Sequence, residues 1–360
     1  MNNATTTTQV EDRGRLRKLA HAAGVWSAAT RYAAVLVLLV AIFILFSISQ
    51  NLFFTSANLQ NLLTSVSILW VVSMGMTFVV LTGGIDLSVG SLLALSGLIL
   101  SKLFNSVGMP SGIAIVLTLA AGALIGGGVN GVLIGRFKLS FFVVTLGTLS
   151  LYAGIVNIWS GTKTTYINSS LIDNIAFGKV LGVEAPIWFM LGTLAVSFAV
   201  LRWTYFGRDV YAVGGNADAA RLSGISVSRT IISVYAIAGF AAAFAGVIQA
   251  GRLGAASPLV GSDIPLNAAA GVLLGGTSFT GGVGGVTGTA VGVLFIGTLQ
   301  NGLAIAGVSS FWQQVVTGVI LIAAVSIDRL QHNPSGRFTR RPGGTGHGPT
   351  STLEPQPEGE

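Results

Sequence analysis

The sequence predicts an all-α integral membrane protein with about ten transmembrane helices and both termini in the cytoplasm. Two observations carry this prediction: the composition and the spacing of the apolar runs. Of the 360 residues, 52% are hydrophobic and only 9% are charged, whereas soluble domains carry about 25% charged residues. So little charge cannot cover a water-facing surface of this size, which excludes a soluble globular protein.

The apolar runs are long enough to cross a bilayer, since a transmembrane helix needs about 20 mostly apolar residues. A shorter glycine-rich run, residues 265–280, either spans the membrane or re-enters it, because irregular backbone is tolerated at membrane depth only inside protein or along a wet cavity. We count it as a span. The remaining predicted spans lie near residues 33–49, 61–81, 88–105, 111–135, 141–160, 186–203, 230–250, 286–306 and 311–327.

The basic residues support this topology. With ten spans and both termini in the cytoplasm, the chain obeys the positive-inside rule. Of its 19 Lys and Arg residues, only four lie on the external side of the membrane: Lys102, Lys163, Lys179 and Arg252. Omission of the glycine-rich run would place the basic carboxyl tail outside and weaken the fit. The chain then divides into a basic cytoplasmic segment (1–31), a transmembrane domain (32–328) and a cytoplasmic tail (329–360) too polar to pack and therefore disordered.

Glycine is unusually abundant, with 49 copies. Small residues let helices approach closely in lipid, so most of these glycines are expected to pack helices, and a minority to mark broken helices. Three dipeptides also recur in the same order: Gly83-Gly84, Asn130-Gly131 and Ser140-Phe141 return as Gly275-Gly276, Asn301-Gly302 and Ser310-Phe311. An inverted internal repeat and chance recurrence both account for this echo.

The usual residues of catalysis and metal binding are absent from the predicted spans. The histidines, His21, His332 and His347, lie in the tails, and the chain contains no cysteine. These facts exclude an intramembrane His site and thiolate chemistry. No G-x-x-x-x-G-K-[ST] motif occurs, and no basic face carries the interleaved aromatics that nucleic acid requires. We expect no catalytic site, metal, cofactor or nucleic-acid partner in this chain.

The largest charged segment between spans contains a cytoplasmic loop, residues 206–229, with a short helix at its centre. Asn216 is suited to cap the first turn, Asp218 lies near the positive end of the helix dipole, and Gly224 stops the helix. A short helix with small residues on one side fits a groove in a soluble partner.

Three motifs in this chain resemble the permease family of ribose-type monosaccharide ABC importers. Asp218-Ala219-Ala220-x-x-x-Gly224 is similar to the EAA-x-x-x-G coupling signature of ABC importer permeases, with Asp in place of Glu. Two further segments resemble motifs of this family: GGIDLSVGS, which begins at Gly83, and LGGTS, which begins at Leu274. The resemblance covers roughly residues 60–328.

This resemblance implies a transmembrane permease subunit of an ATP-driven importer for a ribose-, xylose- or galactose-like monosaccharide, in the bacterial inner membrane. It implies a homodimer that contacts lipid, an ABC ATPase subunit that binds ATP and Mg²⁺, and a soluble sugar-binding protein outside. The residues implied to couple the chain to the ATPase are Asn216, Asp218, Ala219, Ala220, Arg221 and Gly224.

The candidates for the gate or pathway are Gly83, Gly84, Asp86, Ser88, Asn267, Gly275, Gly276, Thr277 and Asn301. Asp86 is costly near a membrane unless it is capped or paired, so we expect it to order the Gly83–Ser91 turn, as a helix cap or in transport. Polar residues in spans either contact a passing solute or tie helices together. The family usually carries an E-x-D pair before the Gly-Gly-Thr-Ser motif. Here Pro265 and Asn267 stand at these positions, and Asp263 lies out of register.

Three alternatives remain open. An ABC permease for another small polar solute, such as a polyol or a sugar-like signal, would keep all of these motifs. A partner-free secondary transporter would need intramembrane Asp, Glu or His, which are nearly absent. A structural membrane scaffold would leave the cytoplasmic Ala-Gly loop unexplained.

Overall fold

The computed structural model describes residues 33–332, with side-chain surroundings up to residue 326. Within this range the chain is mostly helical. The α-helices are α1 (Ala33–Ser49), α2 (Ser56–Leu81), α3 (Val89–Ser101), α4 (Ser111–Ile125), α5 (Val132–Gly135), α6 (Phe141–Ser160), α7 (Ser170–Phe177), α8 (Ala185–Trp203), α9 (Tyr205–Gly215), α10 (Ala217–Leu222), α11 (Val227–Leu253), α12 (Ile264–Leu274), α13 (Val286–Ile305) and α14 (Ser310–His332).

Two pairs of very short antiparallel strands lie between these helices. β1 (Thr165–Tyr166) pairs with β4 (Ala255–Ala256), and β2 (Lys179–Val180) pairs with β3 (Val183–Glu184). The first pair joins the end of α6 to the end of α11, and it therefore fixes one end of the bundle.

Seven helices of the described range are long and apolar enough to cross a membrane. They are α2, α3 with its continuation to Ser106, α4 with α5, α6, α8, α11 and α13, and three shorter apolar helices accompany them: α1, α12 and the part of α14 up to Ser326. The predicted helices in these regions are therefore present. α14 continues to His332, past the predicted boundary at 328, and the segment 1–31 and the rest of the tail lie outside the described residues.

The long helix α11 forms the centre of the bundle and packs against α2, α3 and α4. Its interior face consists of small residues such as Ala238, Ala242 and Gly246, all buried. Because these side chains are short, the neighbouring backbones approach closely, as expected where no hydrophobic effect drives helices together in lipid.

Two helices contain a π-helical turn. Residues Lys102–Ser106 extend α3, and residues Gly126–Gly131 join α4 to α5. The second π turn packs against α11, where a side chain at Gly126 would collide with the backbone at Gly239. A π turn contains one more residue than an α-helical turn, so it rotates all later side chains around the helix axis. Asn130 consequently lies buried inside the bundle.

The two Gly-Gly motifs end their helices by the same arrangement. After α2, the N–H of Gly83 donates to Val80 O and that of Gly84 to Val79 O. After α12, the N–H groups of Gly276 and Thr277 donate in the same way to Leu273 O and Val272 O. Gly83 and Gly276 both have a left-handed φ, +80° and +81°, as this C-terminal motif requires. Gly83 thus corresponds to Gly276, one position from the alignment expected from the dipeptides.

These two turns lie at the same end of the bundle. The N–H of Gly282, in the loop after α12, donates to Leu81 O at 2.8 Å, and α2 and α12 pack side by side. The two helices therefore run in the same direction. An inverted repeat would place the two motifs at opposite ends, so this pair of motifs does not support the expected inverted duplication.

Candidate functional site

Three segments meet at this end of the bundle: the turn 82–88, the glycine loop 275–285 and α9. Besides the contact between Gly282 and Leu81, the hydroxyl of Tyr211 on α9 donates to Gly284 O at 2.9 Å. The N–H of Gly285 donates in turn to Thr277 Oγ1 at 3.3 Å. Most of these contacts involve the backbone. The glycine loop is therefore held against α9 and the end of α2 without bulky side chains between them.

The closest approach in this junction is at Gly214, near the end of α9. A Cβ atom at this position would collide with Leu81 O and with the backbone nitrogen of Gly282. Gly215, the next residue, has open space around the same position. The Gly-Gly pair before Asn216 therefore has one member that is required for packing and one that is free.

The short helix α10 follows α9 and is exposed to solvent. Asn216 caps it, since Asn216 Oδ1 accepts from the N–H of Ala219 at 2.9 Å, a bond that satisfies an otherwise unpaired first-turn donor. Gly224, with φ +86°, lies just beyond it. Ala220 is buried against the bundle, whereas Leu222 is 87% exposed. The helix is thus anchored on one face and open to solvent on the other.

The charged pair on α10 is solvent-exposed. Arg221 donates from Nη2 to Asp218 Oδ1 at 2.9 Å, three residues away on the same helix. Such exposed pairs contribute little to stability. Their charges are available to a partner, which makes the surface of α10 suited to polar recognition.

Asp86 is fully buried beside this junction, in a network of neutral donors. Its Oδ1 accepts from the backbone N–H and the hydroxyl of Ser88, at 2.9 and 2.6 Å. Asn130 Nδ2 donates to Ser88 Oγ at 2.8 Å and approaches Asp86 Oδ1 at 3.3 Å. Within the described residues, Asn130 Oδ1 and the Tyr235 hydroxyl are buried without a partner. The Asp86 carboxyl group organises the turn rather than capping the first turn of α3.

The other predicted gate residues separate into two groups. Gly83, Gly84, Gly275, Gly276 and Thr277 lie at the junction with α9. Asn301 lies elsewhere: it exchanges two hydrogen bonds, at 3.0 and 3.1 Å, with Asn58 near the start of α2, and so ties α13 to α2.

Asn267 lies on α12, away from the junction. Its Nδ2 donates to Asp263 Oδ2 at 3.0 Å, and Pro265 between them is buried. Asp263, out of register in sequence with the usual E-x-D pair, is thus one helical turn from Asn267 and on the same face of α12.

Two residues of the site, Tyr211 and Gly214, were not among the predicted candidates, whereas Asn130 was expected only as one of the polar residues within the spans. Tyr211 and Gly214 contact the two turns from α9, and Asn130 reaches Asp86 from the π turn. The Gly-Gly pair directly before the cap residue Asn216 was the available signal for α9. For Asn130 the signal was weak, because the contact depends on how far the π turn rotates the helix.

The fold and the site define a multi-pass membrane protein with a solvent-exposed helix anchored to buried turns at one end. A family model described as "Branched-chain amino acid transport system / permease component" matches residues 58–325. The chain belongs to this family of ABC importer permeases. It is therefore a transport subunit rather than an enzyme, and a multi-pass protein of the bacterial inner membrane.

Three relatives illustrate the similarity. The ribose import permease protein RbsC of Escherichia coli strain K12 is 40% identical over 301 residues, which cover 82% of this chain and 92% of the relative. RbsC of Bacillus subtilis is 41% identical, with 79% and 89% covered. The D-allose transport system permease protein AlsC of E. coli K12 is 36% identical, with 90% and 98% covered. No solved structure matches the chain.

Proposed function

We propose that the chain forms the translocation path of an ATP-driven importer for a monosaccharide and transmits the work of a separate ATPase through α10. The observation that carries this proposal is the junction at α9: an exposed helix is connected, through one rigid element, to the turns that end α2 and α12. Displacement of α10 by a partner would displace both turns together.

The substrate class is supported by the relatives, which are named for ribose, D-allose, L-arabinose and galactose. We therefore favour a monosaccharide over another small polar solute such as a polyol or a sugar-like signal. The description of the family model, which names branched-chain amino acids, makes an amino acid the second candidate to test.

The proposed assembly is a permease homodimer with an ABC ATPase at the α10 end and a soluble sugar-binding protein at the opposite end. ATP and Mg²⁺ are bound by the ATPase, and alternating access of the path accompanies its cycle. Asp218 and Arg221 meet the ATPase on the exposed face of α10.

We also propose ten membrane crossings with both termini in the cytoplasm. The segment from α12 to Gly282 supports this topology, since α12 alone has 11 residues, too few for about 30 Å of hydrocarbon. Its loop nevertheless extends to the end of α2. α12 and the loop after it then complete one crossing together, and the positive-inside count is retained.

The test is uptake of labelled D-ribose, L-arabinose, D-allose, D-galactose and L-leucine by cells that express the chain with an ATPase and a binding protein. Wild type is compared with Asp218→Lys and Gly224→Trp at matched membrane levels. We expect ATP-dependent sugar uptake in wild type, and loss of both uptake and ATPase co-purification in the variants. The double variant Asp218→Arg with Arg221→Asp, which keeps an ion pair on α10, serves as the control for helix integrity.

Unchanged uptake in the single variants would show that α10 is not the coupling element. Uptake of L-leucine without sugar uptake would replace the proposed substrate class. Uptake without any ATPase would favour a partner-free transporter.

A further inference from the structure

The connection between α11 and α12 enters the bundle instead of crossing its surface. At its start, Ala256 lies beside Gly97 of α3; further on, a Cβ at Gly90 would collide with the carbonyl of Gly261 and the ring of Pro265. The segment therefore descends along α3 by the distance from Gly97 to Gly90, about 10 Å at 1.5 Å per residue. Gly90 lies about 24 Å along the helix from Ser106, where the continuation of α3 ends.

Helix α12 consequently begins in the interior of the membrane region. Irregular backbone is tolerated there only where it is buried in protein or lines a water-filled cavity, and discontinuous helices of this kind form the substrate sites of many transporters. The residue before α12 is Asp263, and its side chain is exposed in the isolated chain. An ionisable group at this depth that faced lipid would cost about 2.5–3.5 kcal/mol. Asp263 is thus expected to face water.

A cavity of about 270 Å³ lies at this point, between α12 and α14. Its polar lining residues are Ser262, Asp263, Asn267, Gln314 and Thr317. No lysine or arginine lines it, and its one acid is held by an amide through the bond from Asn267 to Asp263. Carboxylate, amide and hydroxyl groups without a cation are suited to a neutral ligand with several hydroxyl groups.

Two buried side chains in this cavity keep unused acceptors. Asn267 is 5% exposed, and among the described residues nothing donates to its Oδ1. Thr317 is 6% exposed, and its hydroxyl donates to Gln313 O at 3.0 Å, which leaves its lone pairs free. Both atoms can therefore accept a hydrogen bond from a hydroxylated ligand in the cavity.

A second cavity offers a contrast. It measures about 600 Å³ between α2, α8 and α11, and residues such as Phe78, Phe189 and Phe240 make its walls almost wholly apolar. A sugar there would lose its hydrogen bonds to water without replacement. Of these two cavities, the smaller one has the polar side chains that a monosaccharide requires.

We propose that Asp263, Asn267, Gln314 and Thr317 form a transit subsite that binds the hydroxyl groups of the sugar inside the membrane region. The subsite rests on the proposed function. Asn267 and Thr317 accept from sugar hydroxyls, and the free carboxylate oxygen of Asp263 accepts from another. Because the contacts are few, binding is weak enough for release, as a translocation path requires.

The test uses the absence of cysteine from the chain, so that one introduced cysteine is the sole thiol of this subunit. The variants are Asp263→Cys and Gln314→Cys, with Val319→Cys as the matched control: Val319 is also on α14 and 62% exposed, but it lies outside the cavity lining. Each is made in the full complex, in membranes, with a cysteine-free ATPase and binding protein. A charged, water-soluble methanethiosulfonate probes them, because it reacts with the thiolate that forms in water.

We expect cysteines 263 and 314 to react at least about tenfold faster than cysteine 319, and a transported sugar to slow their reaction and not that of 319. In uptake, Asn267→Leu should lower kcat/KM about five- to tenfold, the loss expected for one hydrogen bond. For a deoxy analogue that lacks the hydroxyl group contacting Asn267, the same substitution should lower kcat/KM less. Asn157→Leu, whose amide bonds only to its own helix, should leave uptake unchanged.

Slow reaction at both 263 and 314 would overturn the inference, since the cavity would then be covered by lipid or by a second copy of the chain. Fast reaction without protection by a transported sugar, together with normal uptake by Asn267→Leu, would overturn it as a sugar subsite. Failure of wild type to import any sugar would overturn the proposed function and the subsite with it. In that case the cysteines at 263 and 314 would still react with the water-soluble reagent, which distinguishes it from a cavity that is covered.

Discussion

The turn after α2 and the turn after α12 begin alike and continue differently. Both stop a helix with the same pair of backbone hydrogen bonds and one left-handed glycine. The first turn then folds around the buried Asp86 and leads directly into α3. The second continues as a glycine loop that contacts α9 through its backbone. The same glycine motif thus ends both helices. The residues that follow it differ, so the first turn is fixed around a buried side chain and the second contacts α9.

The largest expected effect is at Gly214, where α9 contacts both turns. Gly214→Ala places a Cβ against Leu81 O and the backbone of Gly282, and overpacking of this kind costs up to about 3 kcal/mol. We expect α9 to shift and ATP-dependent uptake to fall by about tenfold or more at matched membrane level. Gly215→Ala, which has open space, is the control. Equal uptake by both variants would mean that α9 does not transmit motion to the turns.

The next effect separates the anchored turn from the open one. Asp86→Leu leaves the N–H and hydroxyl of Ser88 without their acceptor, which costs about 2 kcal/mol and should lower the Tm of the purified permease. Asp86→Asn keeps an acceptor oxygen, so we expect a smaller decrease in Tm. If Asp86→Asn assembles normally and takes up sugar at the full rate, an amide can replace the Asp86 carboxyl group in transport.

The smallest effect tests whether the two helix stops are equivalent. Gly83→Ala and Gly276→Ala each force a left-handed conformation on a residue with a Cβ, at a cost of about 1–2 kcal/mol. We expect similar decreases in Tm for the two variants. Asn tolerates this conformation better than Ala, so Gly276→Asn should restore part of the loss. A large difference between Gly83→Ala and Gly276→Ala would show that their surroundings, rather than the shared stop, dominate.

Much of the fold follows from local sequence patterns. The apolar runs predict the long helices, and the cap at Asn216 predicts α10, because both depend on residues close in the chain. The ambiguous run 265–280 was harder, since α12 ends at Leu274 and only its contacts with Leu81 show where the following loop lies. The dipeptide echo also suggested an alignment one residue away from the structural one, because the left-handed glycine defines the correspondence and dipeptide identity does not.

The details of the site depend on tertiary contacts that local patterns do not encode. Asn130 is distant in sequence from Asp86 and Ser88, and it donates to both from the π turn. Asn267 and Asn301 appear equivalent as polar residues in apolar helices, yet one lines a cavity and the other pairs with Asn58. The sequence shows that such polar groups exist, and the packing decides which are ties and which remain open to a ligand.

The π turn at Gly126–Gly131 makes this helix sensitive to length as well as to residue identity. Substitution at Gly128 meets no neighbouring atom, so evolution can vary this side chain with little penalty. Deletion of the same residue would remove the extra member of the π turn and rotate every later residue of the helix by about 100°. Asn130 would then leave Asp86. Position 128 is therefore expected to accept many substitutions but not the deletion of its codon.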